Sequence, residues 1–524
     1  MADRSYEIHP YSINNLISIL ASKSKACPET VKEKLHKVYF EGYFGTLKAQ
    51  TVIVENDYID RDYLDDYLGY YGSCFIPYER KCTRLHFFNI DVKDNEFGAL
   101  LKGDVTNCTC DLLNTAYLGF MVVKPLPQTF IGRTCLKTYD DDGKRRCFPV
   151  VRDYDSNLYG MKLGVRSLAF QEQDHVVSAC ATSALWSIFH ATGMLFQHPI
   201  LSPVEITKIA CESMPIETRF MPNEGLQTIQ MAQAIRKLDM EPLLIKADNE
   251  NVFKSTLYAY INCGIPLLLG FSIVDVSSSP GIMYGGHAVT ITGYSLGHAY
   301  PKPDPISGLS LMSSRIDRIY AHDDQVGPFS RIIADFEDVE FKLGPNGQDI
   351  YKRKSIKTSH RGESKRIGSI WAIPEILMIP LYHKIRIRFS YIREIVEHFD
   401  VIIEALKTNN LINLRSKLLW DVHLTTVNDY KSEILNSNAL RGESKRKVLT
   451  QGLPRFLWRA KAYCGTDIIL DLIFDATDIE QASFLQTAIV YDESLCKQLT
   501  IFSKSLDASS KSQPAWKILE WFTR

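Results

Sequence analysis

Phe170 to Gly193 reads FQEQDHVVSACATSALWSIFHATG, and the fold is decided by what this stretch becomes. Ala179 to His190 is a run of strong helix formers with apolar residues on more than one side, which predicts a largely buried helix. Ser178 is a good N-cap for that helix and puts Cys180 in its first turn. Unpaired backbone N–H groups and the positive end of the helix dipole favour a thiolate there. A first-turn cysteine is more often simply packed, so chemistry can be read from Cys180 only if other segments supply its partners.

Two segments downstream do so. MYGGHAVTITGY (Met283 to Tyr294) places two glycines immediately before His287, removing side-chain bulk, and then enters a β-rich run. This predicts a buried strand that starts at His287 and lets the imidazole point into a cleft. DRIYAHDDQVGPFSR (Asp317 to Arg331) predicts a strand that ends in two adjacent acids and a Gly-Pro turn. Asp323 or Asp324 can accept the Nδ1–H of a neighbouring imidazole, and strand alternation sends the two to opposite faces, so that only one reaches His287. Nucleophile, base and orienter are the three parts of a thiol enzyme.

This order, Cys at the head of a helix, Gly-His at a strand and an acid at the end of the next strand, resembles the papain-like cysteine peptidase superfamily. Within it, the closest look is to bacteriocin-leader-processing (double-glycine) peptidase-like domains, whose pattern runs Gln, Cys, His-Ala-Val, Asp. The resemblance covers roughly residues 160 to 345. It implies Cys180 as nucleophile, His287 as base and Asp323 as orienter, with Asp324 the other choice. It also implies that Gln173, or failing it Gln171, lends a side-chain N–H to an oxyanion hole shared with the Cys180 backbone N–H. NEGLQTIQMAQAIRKLDMEPLLI (Asn223 to Ile245) and INCGIPLLLGFSI (Ile261 to Ile273) resemble elements that lie between Cys and His in such folds. The 107-residue gap from Cys180 to His287 is longer than transglutaminase and arylamine acyltransferase relatives have. Three departures stand out: Ala181 follows the nucleophile where Gly is common, Gln173 precedes it by seven residues where six is usual, and Ser295 to Ser314 intrude between the last two strands.

The implied fold class is α+β. A papain-like core of helix bundle plus antiparallel sheet spans 151–350, between a mixed α+β domain at 1–150 and a mixed domain at 351–524 with a recognition or regulatory role. The length of 524 residues agrees with about three domains at roughly 150 residues each. Helices are predicted at Ile13 to Leu20 and across Glu29 to Phe44, followed by strands at Thr51 to Glu55, Arg84 to Val92 and Ala116 to Leu126. The tyrosine-rich stretch Asp62 to Arg80 reads first as a domain boundary and second as a recognition surface. The hexamer RGESKR occurs at 361–366 and again at 441–446 with unrelated flanks, which predicts two exposed loops, partner-binding or cleavage-prone as the second choice.

Hydrophobic residues at 45% and charged residues at 23% exclude collagen-like, coiled-coil and wholly disordered chains. A net charge of -1 argues against a general electrostatic grip on nucleic acid. The longest apolar run, Ile265 to Val274, is about half of the ~20 residues needed to cross a bilayer and predicts a buried strand instead. With no secretory signal at the N-terminus, the expected location is the cytoplasm, with no membrane contact, and a bacterial processing, toxin or defence protease fits the resemblance. Twelve cysteines without paired CxxC spacing predict reduced, packed thiols, with a structural zinc among Cys74, Cys82, Cys108, Cys110, Cys135 and Cys147 as the minor alternative. The thiol mechanism requires no metal or organic cofactor, and a metal site using His287, His298 or His322 with Asp323 is the minor alternative, its spacing fitting no metal motif.

The expected function is hydrolysis of peptide or isopeptide bonds in a protein or peptide substrate, through a thioester on Cys180, under an activating or inhibitory protein partner. The alternatives are a thiol-dependent acyltransferase or amidase, and an inactive papain-like binding or scaffold protein. If the flanking regions restrain the core, residues 155–350 expressed alone are expected to be more active or less selective than the whole chain.

Overall fold

β-branched and aromatic runs in the first third form strands, as their composition predicts. β1 (Tyr6–Pro10), β2 (Thr51–Tyr58), β3 (Cys82–Phe88), β4 (Tyr117–Val123) and β5 (Ile131–Leu136) pair in chain order as one antiparallel sheet. β3 and β4 are buried at every position; β4 accordingly reads as an unbroken apolar run, while β3 buries Arg84 and His86 among its apolar residues. Helices α1 (Ile13–Ser24), α2 (Pro28–Glu33), α3 (Leu35–Leu47), α4 (Arg61–Gly69), α5 (Asp94–Lys102) and α6 (Cys110–Thr115) connect them. The single helix expected across Glu29 to Phe44 is therefore two. Lys34 between them is extended (φ −61°, ψ 142°), and its ammonium reaches the Gln128 carbonyl and the Glu172 carboxylate. The computed structural model describes residues 5–174, 176–177, 179–212, 225–360, 368–477, 484–506 and 513–523.

After the two-residue strand β6 (Arg146–Cys147), a hairpin of β7 (Arg152–Leu158) and β8 (Met161–Ser167) leads to α7 (Cys180–Phe196). α8 (Pro203–Cys211), α9 (Thr228–Arg236) and β9 (Met240–Lys246) follow. Every residue of α7 from Ala181 to Thr192 is buried, as expected for a helix that is apolar on more than one side. Six strands then close on themselves: β10 (Leu267–Asp275), β11 (Gly281–Leu296), β12 (Ile316–Asp323), β13 (Gly327–Leu343), β14 (Tyr351–Lys357) and β15 (Ile370–Tyr382) are neighbours in that order. β15 returns to pair with β10, making a barrel, and β9 extends the sheet beyond β15. The Thr290 hydroxyl of β11 donates to the Ala184 carbonyl at 2.7 Å and so ties α7 to the barrel.

The chain groups into two compact units. The first holds residues 1–248, 266–295 and 318–380, and the second holds 249–265, 296–317 and 381–524. Within the first, β6 pairs with β11 through Cys147 and Tyr294, so residues on either side of position 150 share one sheet. The second unit contains α10 (Glu250–Ile261), the amphipathic α11 (Phe389–Thr408), β16 (Leu419–Thr426), α12 (Val427–Asn436), α13 (Gly442–Thr450), β17 (Phe456–Cys464), β18 (Asp467–Asp475), β19 (Leu485–Val490), α14 (Glu493–Ser505) and α15 (Trp516–Leu519). Its four strands form an antiparallel meander around buried Trp420 and Trp458.

The second RGESKR copy is helical where a loop was expected. Arg441 is the N-cap of α13, and Glu443 in its first turn holds Arg446 one turn on at 2.6 Å. The first copy, 361–366, lies outside the described residues. Mixed α+β architecture with several antiparallel sheets and a closed barrel is thus the observed class. Among the described residues, no helix is long and apolar enough to cross a membrane.

Candidate active site

Cys180 is the first residue of α7, half-buried, with Ala179 as an N-cap that supplies no side-chain hydrogen bond. The expected N-cap, Ser178, lies outside the described residues. Ala179 has no side chain that could compete for the amides of the first turn of this 17-residue helix.

The approach to Cys180 is held on both flanks. Phe170 exchanges two backbone hydrogen bonds with Thr134 of β5 (2.9 and 2.8 Å), and the Glu172 carboxylate accepts from the Ile131 N–H at 3.0 Å and pairs with Lys34. Asp174 accepts from the Val176 N–H at 2.9 Å and from the Tyr71 hydroxyl at 2.5 Å, with Lys124 at 3.7 Å. The tyrosine-rich stretch therefore puts at least one of its rings to structural use, securing the turn six residues before the cysteine. Gln171 is buried and Gln173 half-buried on this secured segment.

His287 lies seven residues into β11 and not at its start. Gly281 to Gly286 are already strand, yet Tyr284 to Gly286 are exposed and burial sets in at His287, so the expected edge is one of burial and not of secondary structure. A Cβ on Gly285 would meet nothing within 4 Å, and on Gly286 only the Phe271 carbonyl at 4.0 Å. The fold does not demand these glycines; they keep open the space beside the histidine.

The His287 side chain is hydrogen-bonded to both Cys180 and Asp323. Its Nε2 lies 3.1 Å from Asp323 Oδ1, so Nε2 and not the expected Nδ1 meets the carboxylate. Phe271, directly opposite on β10, packs its ring edge to face at 5.3 Å between centroids and fixes the imidazole plane.

Both acids are buried and close. Asp324 Oδ1 is 3.6 Å from the same Nε2, so the expectation that only one could approach is overturned. β12 ends at Asp323, and a turn closed by the Val326 N–H on the Asp323 carbonyl (3.0 Å) begins there; alternation does not extend to residue 324. The Gln325 N–H on Asp323 Oδ1, 3.1 Å, fixes the carboxylate within this turn.

A fifth side chain, absent from the sequence reading, completes the cluster. His360 Nε2 donates to Asp323 Oδ2 at 2.5 Å, and its ring stands edge to face with His287 at 5.4 Å. β12 and β14 both run antiparallel to β13, so their C-terminal ends lie on the same rim of the barrel. Asp323 ends β12, and His360 is three residues past β14. No local pattern announces this; the signal is the barrel closure itself.

These groups perturb one another. Burial alone pushes His287 down, but the charges of Asp323 and Asp324 and the hydrogen bonds from Asp323 and Cys180 outweigh it and hold its imidazolium well above the ordinary value. Burial pushes Asp323 up, and the two histidines overcome it and keep the carboxyl well below the usual range. Asp324 goes the other way, to about 7, because burial and the Asp323 charge both oppose its ionisation, more than His287 relieves it. Asp323 is therefore the carboxylate of the pair, and Asp324 takes up its proton around neutral pH.

His322 is not part of this group. Its Nε2 donates to the Leu168 carbonyl at 3.0 Å and its Nδ1 accepts from the Phe329 N–H at 3.1 Å, so both nitrogens are used and burial lowers it to about 3. His298 belongs to the other compact unit. Among the described residues, the group whose donors converge as metal ligands would is His287, Asp323 and His360, with one donor atom from each lying within 4.8 Å of the others. The twelve cysteines are free thiols. Compared with known proteins, the sequence matches no family model and no curated protein.

Proposed function

We propose that the chain is a thiol hydrolase of papain-like design, cleaving peptide or isopeptide bonds in a protein or peptide substrate. The observation that carries this reading is a single buried imidazole, His287, hydrogen-bonded on one side to a cysteine at a helix N-terminus and on the other to an ionised carboxylate. A helix bearing Cys180 and a closed antiparallel barrel bearing His287 and Asp323 support it further.

In this reading the Cys180 proton rests on His287 as part of its imidazolium, and the thiolate forms a bond to the substrate carbonyl carbon. The oxyanion is met by the Cys180 backbone N–H and by the Gln173 amide, with Gln171 as the alternative. As the tetrahedral intermediate collapses, the C–N bond breaks and the leaving amine takes the proton from His287. Water, deprotonated by the same imidazole, then cleaves the thioester and returns the thiol. Asp323 keeps the ring oriented and stabilises its charged form.

Brief, limiting alkylation of the native protein followed by peptide mapping tests the pair. Cys180 is expected to label far ahead of the other eleven cysteines, and His287→Ala to remove that preference. Cys180→Ala is expected to abolish hydrolysis; cleavage retained by that variant would sink the assignment.

A further inference from the structure

The thiol mechanism asks for one group on Asp323, and the structure supplies two: a second buried histidine, His360, sits on the carboxylate oxygen that His287 does not use. We propose that His287, Asp323 and His360 form a binding site for one divalent transition-metal ion, zinc foremost, and that the bound ion switches the Cys180 thiol off.

The geometry is close to what an ion needs. Ligands at about 2.0–2.2 Å from a tetrahedral zinc lie roughly 3.2–3.6 Å from one another. The two Nε2 atoms stand 3.1 and 2.5 Å from the Asp323 oxygens, and all three donors fall within 4.8 Å of each other, so small side-chain rotations open the triangle. Two imidazoles and one carboxylate are a donor set that suits zinc and leaves a fourth position for water. The surroundings are those of a held site: the Gln325 N–H fixes Asp323 Oδ1, and Phe271 fixes the His287 ring. All three ligands are more than nine-tenths buried.

The consequence for the thiol follows from ring chemistry. An ion on His287 Nε2 takes the place of the proton on that nitrogen, so the ring is no longer an imidazolium. The ligated ring is thereby withdrawn from proton exchange with Cys180. The ion also draws Asp323 away from its role as orienter. The metal site itself does not depend on the thiol reading; only its effect on Cys180 does.

The test uses the full chain, stripped with a chelator, desalted and titrated with zinc chloride. Bound metal is counted by elemental analysis after gel filtration, and Cys180 alkylation is followed by peptide mapping. Wild type is expected to retain one zinc that slows Cys180 alkylation at least roughly tenfold, reversibly on chelation. Cys180→Ala should keep that zinc. His360→Gln, which preserves an N–H donor to Asp323 and is checked for cooperative melting, should lose at least roughly tenfold in affinity and free Cys180 from the zinc effect. The proposal is overturned if wild type retains no zinc, if His360→Gln binds as wild type does, if Cys180→Ala abolishes binding, or if zinc stimulates hydrolysis. A Cys180 that is inert even without zinc counts against the thiol reading instead, and the metal count still judges the site.

Discussion

At the scale of single residues, the two candidate oxyanion glutamines can be told apart by function. On any peptide the wild type cleaves, Gln173→Ala is expected to lower kcat by about 10²–10³-fold with little change in KM, and Gln171→Ala far less. The reverse order would transfer the role to the buried Gln171. Cys180, His287 and the Asp323–Asp324 pair could be singled out in the sequence because each lies in a locally patterned segment: a helix start, a glycine pair before a strand, a strand end before a turn. What the pattern could not convey is where regular alternation stops. Asp324 approaches His287 because β12 ends one residue earlier, and the ring presents Nε2 and not Nδ1 to the acids. His360 was illegible for a different reason: its partner Asp323 is 37 residues away and is brought to it by the order in which six strands close.

At the scale of elements, most helices and strands follow from periodicity and composition, and the deviations have local causes. Lys34 breaks a continuous helical pattern to reach Glu172, and the basic hexamer at 441–446 becomes a helix start because its glutamate falls in the first turn. The N-terminal sheet also carries a pH dependence of its own. His86 of β3 is fully buried, with Tyr117 Oη 2.9 Å from Nδ1 and the Glu55 carboxylate, shared with Arg84, 3.2 Å from Nε2. Burial, helped by the Arg84 charge and opposed by Glu55, pushes His86 down to about 4. The unfolded chain, with His86 near 6.5, then binds more protons than the native one between pH 6.5 and 4. Stability from this residue is complete above that window and falls as pH drops through it, by about 3 kcal/mol in all. Urea unfolding at pH 7.5 and 4.5 should therefore show a larger loss for wild type than for His86→Gln, and equal losses would mean that His86 is charged in the fold.

At the scale of the molecule, the barrel sets what can be removed. The fragment 155–350 lacks β14 and β15, the two strands that close the ring, and it lacks β5, whose Ile131 and Thr134 hold the segment before Cys180. The sequence reading expected this fragment to be an active, less restrained core. The structure argues instead that it will not fold cooperatively, and a melting transition seen by near-UV circular dichroism in that fragment would refute this.

The two compact units share the chain unevenly, with the second assembled from 249–265, 296–317 and 381–524. A ribosome making this protein has released every residue of the first unit once position 380 is clear of the exit tunnel, while two segments of the second are already out and without most of their partners. One of them is α10, whose Phe253 and Ser255 to Ile261 are buried in the finished protein. At about 5–20 residues per second, the last 144 residues take roughly 7–30 s to appear. For that interval a nascent chain with a complete barrel carries α10 without the strands of its own unit, so chaperone demand and losses to premature termination fall on the second half of synthesis.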